Sequence, residues 1–236
     1  HNALVALQHI TARKRFGIRD YDRVTGKTAL KEFAADIVGP LARGFGFGSW
    51  LLRKVSRDFA AYLEGAPEYA LAVRERVGGR IRACLERGDC VMLVTHGTGA
   101  AVAYAVLWPM CPDPAFAPEF RNRKIDQWVT MGAPLGNANV QCRLLDAGKP
   151  HVERYPSNVI SWQNLAAEDD YTCHDKSLAN DYSYMLKHHL VSQINDFRVF
   201  NLAVRYGTSN PHSSVGYFIH PRLAKIVAEW LEDRGG

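Results

Sequence analysis

Residues 91–100, Val-Met-Leu-Val-Thr-His-Gly-Thr-Gly-Ala, constrain this chain more than any other stretch. An apolar run through Val94 stops at Thr95-His96-Gly97-Thr98-Gly99, and a small-residue helical pattern starts at once with Ala100, Ala101 and Ala103. No loop fits between the two. The strand must turn directly into the helix, and glycine reaches unusual backbone angles without steric cost. The run is also too short and too evenly apolar for a half-exposed strand, and fits a parallel strand covered on both faces.

The rest of the chain divides around this turn. Residues 1–87 read as mainly helical, with segments at 3–16, 28–38, 50–63 and 68–86. Gly39-Pro40 stops the second, and Leu71, Val77, Ile81 and Leu85 form the expected buried stripe of the last. The glycine-rich stretch Gly44-Phe45-Gly46-Phe47-Gly48-Ser49 lacks the lysine and the strand-to-helix setting of a phosphate loop, and reads as a connector. From residue 88 onward the pattern changes. Strands are expected at 90–95, 125–131, 158–165 and 198–204, with helices at 99–107 and 223–231. This alternation argues for an α/β domain, a mostly parallel sheet flanked by helices, with residues 1–236 as one unit.

Composition narrows the classes. With 47% hydrophobic and 22% charged residues the chain is globular rather than disordered. No apolar stretch reaches the length of a membrane span, so no integral membrane segment is expected. The net charge of +5 comes from basic residues scattered among acids. The densest cluster is Arg13-Lys14-Arg15, too short to suggest a nucleic-acid partner. The five cysteines are odd in number and contain no CxxC pair, which argues against a disulfide framework or a metal site. Reduced thiols in a cytoplasmic protein are the expectation.

An open α/β sheet places its site beyond the C-terminal ends of its strands. Four groups fall there. Gly97 and Thr98 follow the first strand. Met131-Gly132-Ala133-Pro134 ends the second, at the expected rim of the site. Glu168, Asp169 and Asp170 follow the third, and His212 lies after the fourth and before the closing helix. The order is turn, acid, histidine. That is the chain order of the nucleophile, acid and base of hydrolases whose serine sits on a sharp strand-to-helix elbow.

The stretches VMLVTHGTGAAVAY at 91–104, QWVTMGAPLG at 127–136, VISWQNLAAEDDYTCHD at 159–175 and NPHSSVGYFIHP at 210–221 resemble the α/β-hydrolase superfamily. More narrowly, they are similar to bacterial lipase- and esterase-like members whose elbow reads valine-threonine-histidine-serine. The resemblance covers roughly the last two thirds of the chain, element by element. It implies an α/β-hydrolase fold, hydrolysis of a carboxylic ester or related acyl bond of a small-molecule substrate by a Ser-His-Asp triad, and no cofactor. Gly97 stands at the nucleophile position, Asp169 at the acid position and His212 at the general-base position. The backbone N–H of Thr98 stands as oxyanion donor. Asp169 leads its neighbours Asp170 and Glu168 only by its spacing from the strand end.

The chain departs from that pattern twice. Gly97 has no oxygen and cannot form an acyl-enzyme, so the chain is expected to be silent by that route. Three readings of Gly97 are a serine-to-glycine substitution, a natural loss that leaves a non-catalytic ligand-binding protein, and a plain tight turn. An acyltransferase would use the same elbow. Thr98 as a shifted nucleophile would put bulky His96 where a small residue is needed. The second departure is the missing early strand that carries the second oxyanion donor. No such strand precedes Cys90, and the expectation is that further strands lie upstream of His1. Among other histidines, His220 stands at the start of the closing helix, His96 is expected to pack beside the turn, and His174, His188 and His189 follow no strand end. Ser213 and Ser214 are expected to cap the segment after His212.

Overall fold

The computed structural model describes residues 57–64, 66–111, 124–144, 149, 151–168, 170–173, 177–205 and 208–233. The helices expected at 3–16 and 28–38, the glycine-rich connector at 44–49 and the first part of the 50–63 helix lie outside the described residues.

Four strands form one all-parallel sheet in sequential order: β1 (Met92–His96), β2 (Ile125–Met131), β3 (Val159–Ala167) and β4 (Gln193–Val199). Helices α1 (Arg57–Glu64) and α2 (Pro67–Arg87) precede β1, and α3 (Thr98–Leu107) follows it after a single residue. The short helices α4 (Ala138–Leu144), α5 (Leu178–Asp181) and α6 (Ser183–Lys187) lie in the later connections. A two-stranded hairpin, β5 (Val204–Arg205) with β6 (Thr208–Ser209), leads to α7 (Ser214–Phe218) and the closing helix α8 (Pro221–Glu232).

Side-chain alternation along the strands gives the sheet two cores. On one face Trp128 and Trp162 stack at 4.5 Å and pack with Ala100, Tyr104 and Leu107 of α3, Ile81 and Leu85 of α2, and Tyr182. On the other face Val129, Met131, Leu165 and Ala167 meet Leu223 and Ile226 of α8 and Tyr217 of α7. The indole N–H groups find partners. Trp128 donates to Thr95 Oγ1 and Trp162 to Thr130 Oγ1, each over 3.0 Å. Both tryptophans are thereby buried without an orphaned donor. Helix α2 ends at Gly88, whose left-handed backbone (φ 76°) lets its N–H close on Leu85 O at 3.0 Å.

Three expectations need correction. The fourth strand lies at Gln193–Val199, five residues before the expected start at 198. Its centre is polar because its side chains bond sideways: Asn195 Nδ2 donates to Gln163 Oε1 at 3.1 Å, and Asp196 accepts from Asn164 Nδ2 at 2.8 Å. The apolar residues after Val199 lie in an irregular connection and at the start of the short β5. Second, β1 is only partly buried along its whole length. It pairs with β2 on one side, and among the described residues no strand pairs its other edge. Third, Leu71 is 52% exposed, so the buried stripe of α2 is confined to its second half.

Candidate active site

The site is assembled from the C-terminal ends of β1, β2 and β3 and the loop after β6. Gly97 joins β1 to α3 with φ 54° and ψ −128°, a region that is almost closed to residues with a side chain. Its N–H donates to Met131 O at 2.8 Å and its carbonyl accepts from Ala100 N at 3.1 Å. The turn is therefore pinned both to the neighbouring strand and to its own helix. Thr98, the oxyanion candidate, is the first residue of α3. Its N–H belongs to the first turn of the helix, whose donors have no acceptor within the helix.

His212 faces this turn. A Cβ added to Gly97 would lie 3.0 Å from His212 Nε2 and 3.1 Å from its Cε1. Flanking residues aside, no other described atom comes within 4 Å of that position. On the far side of the ring, Nδ1 lies 2.9 Å from Oδ2 and 3.1 Å from Oδ1 of Asp170. A carboxylate only accepts, so Nδ1 carries the hydrogen, and in the neutral imidazole the lone pair is then on Nε2, the nitrogen nearer Gly97.

The acid paired with the histidine is therefore Asp170, one residue beyond the position favoured by spacing. Asp169 lies outside the described residues. Glu168 continues the sheet instead, its N–H donating to Val199 O at 3.0 Å. The Asp170 side chain is fully buried. A buried carboxylate requires donors, and Asp170 has three. They are His212 Nδ1, the Tyr217 hydroxyl at 2.8 Å to Oδ2, and the Thr172 N–H at 2.9 Å to Oδ1. Tyr217 in turn accepts from Ala167 N at 2.9 Å. Burial above all, with the neighbouring Cys173 and Asp170, pushes the Tyr217 phenol far above its ordinary range, so it stays a donor.

Gly132, at the rim, has φ 56°. A Cβ there would stand 2.6 Å from Asp170 Oδ2 and 3.2 Å from His212 Nδ1. The missing side chain leaves room for the Asp–His pair. His96 packs beside the turn as expected, and does more. Its Nε2 lies 2.9 Å from the backbone carbonyl of His212, and since a carbonyl accepts, this nitrogen is the donor. The two imidazoles are 4.6 Å apart, centre to centre. Burial first, then the proximity of His212, lower the His96 pKa and favour its neutral form. Asn201 fixes the same loop, donating to Ser213 O at 2.8 Å and accepting from Ala203 N at 3.1 Å. A side chain at Gly216 would collide with the Asn201 amide.

Ser213 precedes α7 without a side-chain cap bond, and no such bond involves Ser214 as a cap. His220 caps α8, its Nδ1 accepting from Arg222 N at 3.0 Å. No disulfide joins the described cysteines. Among the described residues no group of three or more His, Cys, Asp or Glu side chains is placed to hold a metal ion, and no helix is long and apolar enough to cross a membrane.

Sequence reasoning missed Tyr217, Asn201 and the bond made by His96. Tyrosine in an apolar helix reads as core, and an asparagine after a strand reads as a turn. Only the position of Tyr217, five residues after His212, hinted at a shared site. Set beside known proteins, the chain matches no family model, no curated protein and no solved structure.

Proposed function

We propose that the chain carries an acyl-hydrolase site on an α/β-hydrolase fold, with its serine nucleophile replaced by Gly97. One observation carries this reading: the position of the side chain that Gly97 lacks is 3.0 Å from Nε2 of a histidine whose Nδ1 is held by a buried aspartate. A serine hydroxyl there would meet a base already oriented to take its proton, and the acid would fix the tautomer and balance the imidazolium. The sharp turn, the base and the acid occur in the chain order of such hydrolases. A tight turn with no catalytic history would have no need of an oriented His–Asp pair facing it.

Restoring the nucleophile tests the reading. Gly97→Ser is expected to hydrolyse short-chain aryl esters and to be labelled stoichiometrically by a fluorophosphonate, with both lost on adding His212→Ala. A folded Gly97→Ser protein that neither cleaves an ester panel nor takes the label would sink the proposal. A second reading, a ligand-binding protein that keeps the pocket without turnover, is favoured by the absent hydroxyl at Gly97 itself. Ester analogues that bind the unchanged chain but are never cleaved would favour it.

A further inference from the structure

We infer that His96 is a positioning residue for His212: its imidazole N–H holds the backbone of the His212 loop against the turn that carries Gly97. The inference rests on the acyl-site reading above and deepens it, because it names what sets the base in register with the nucleophile position.

The residue type makes the bond informative. His96 ends β1 and pairs with Met131 in the register of β1 and β2. Alternation puts its side chain on the face of the sheet where Met92 and Val94 of the same strand pack with Val129, Met131 and Tyr217. A leucine or valine would fill such a partly buried place without any polar cost. An imidazole withdrawn from water there needs a partner. Its Nε2 donates to the His212 carbonyl at 2.9 Å. Its ring lies 4.6 Å from the His212 ring and 5.7 Å from that of Tyr217, centre to centre. The residue directly before the turn thus meets the residue that faces the turn through both backbone and ring.

Other bonds hold the His212 loop to different surroundings. The Asn210 N–H donates to Ala203 O at 2.8 Å, the Ser213 N–H to Asn210 O at 3.0 Å, and Asn201 Nδ2 to Ser213 O at 2.8 Å. Asp170, at the end of β3, holds the ring at Nδ1. The His96 bond adds a tie to β1, the strand that runs directly into Gly97. Gly97 is itself fixed, its N–H donating to Met131 O at 2.8 Å. Turn and base are thereby held in one frame. The fit between them is close, because a Cβ on Gly97 would lie 3.0 Å from His212 Nε2. In such a setting a misplacement of about 1 Å costs a rate factor on the order of 100.

The test compares His96→Leu, which keeps bulk and removes the donor, with His96→Gln, whose amide still donates. In a Gly97→Ser background with 4-nitrophenyl acetate, His96→Leu is expected to lower kcat by about 10- to 100-fold with KM nearly unchanged. His96→Gln is expected to recover most of that loss. In the chain with Gly97 in place, where no turnover is needed, the ring 15N shifts of His212 report which nitrogen carries the proton. The unchanged chain and His96→Gln should show it on Nδ1. His96→Leu should show a mixture of the two tautomers under conditions where the amides of β2 and β3 stay protected from exchange. A role in packing alone would lower the denaturation midpoint and leave both readouts in place. A folded His96→Leu that keeps kcat overturns the inference, as does a fall in kcat with the His212 ring unaltered, or a His96→Gln that loses as much as His96→Leu. Should His96→Leu fail to fold, His96→Asn takes its place with the same expectations, its amide one carbon short of the carbonyl. An active Gly97→Ser that is indifferent to these changes overturns this inference alone. An inactive Gly97→Ser removes the acyl-site reading and this inference with it.

Discussion

The hydroxyl of Tyr217 donates to Oδ2 of Asp170 over 2.8 Å and accepts from the Ala167 N–H over 2.9 Å. One buried phenol thus ties the end of β3 to the acid that orients His212. Tyr217→Phe keeps the ring and removes both bonds. An unpaired buried group costs about 1–3 kcal/mol, so the urea midpoint is expected to fall by a corresponding amount. In a Gly97→Ser background the same change is expected to lower kcat by about tenfold with KM nearly unchanged, because the phenol acts through Asp170 and not on substrate. A raised KM with kcat intact would show that Tyr217 shapes the pocket instead.

The two glycines with positive φ at the site call for opposite outcomes. Gly97→Ser adds a side chain at φ 54°, about 1–3 kcal/mol of backbone strain, and asks His212 to shift by a few tenths of an ångström. His212 lies in a loop and its side chain is 26% exposed, so it can yield. The variant is expected to be less stable but folded and reactive. Gly132→Ala meets the buried Asp170 carboxylate at 2.6 Å, where nothing can retreat without giving up a bond. It is expected to cost more stability than Gly97→Ser and to abolish any activity that Gly97→Ser confers. Denaturant midpoints and ester turnover of the single and double variants decide this. A double variant as active as Gly97→Ser would refute the packing argument at Gly132.

The contrast between these residues shows what the sequence could reveal. The β1 turn, β2, β3 and α8 were legible because unbroken apolar runs and turn residues mark them. The placement of His212 beside the Gly97 turn was legible because an open parallel sheet gathers its loops past the strand ends. Asp170 could not be separated from Glu168 and Asp169. Which carboxylate turns inward depends on backbone bonds, Glu168 N to Val199 O and Asp170 N to Ala167 O, and on the space left by Gly132. The start of β4 was hidden for a similar reason. Its polar centre pairs with side chains on β3, and no period along a single strand records a cross-strand partner.

Asp196 is the clearest of those hidden partners. It accepts from Asn164 Nδ2 at 2.8 Å and from the N–H groups of Leu178 and Ala179 at 3.1 and 2.9 Å, at the start of α5. Asn164 is itself buried and accepts from Thr130, which in turn accepts from the Trp162 indole. Asp196→Ala strands the Asn164 amide and uncaps α5, a loss of about 2–3 kcal/mol. Asp196→Asn retains an acceptor and is expected to cost less than half as much. Chemical denaturation of both variants checks the ranking, and equal midpoints for Asp196→Ala and the unchanged chain would remove Asp196 from the fold's support.

His96 gives the site a dependence on pH. Burial, then the neighbouring His212, depress its folded pKa, and burial followed by Arg222 does the same to His220. In the unfolded chain both titrate near their ordinary value of about 6.5. Below that pH the unfolded state binds protons that the native state refuses, so stability falls as pH drops. The contribution is fully present above about pH 6.5, is lost as pH falls through the depressed folded values, and then levels off. His96→Gln separates the two histidines. A glutamine amide can still donate to the His212 carbonyl, but it does not titrate. Its unfolding free energy is expected to fall less steeply than that of the unchanged chain between about pH 7 and pH 5. Denaturant titrations at a series of pH values measure both slopes. Identical slopes would mean that His96 takes up its proton in the fold as readily as in the open chain, and that its place beside His212 imposes no electrostatic cost.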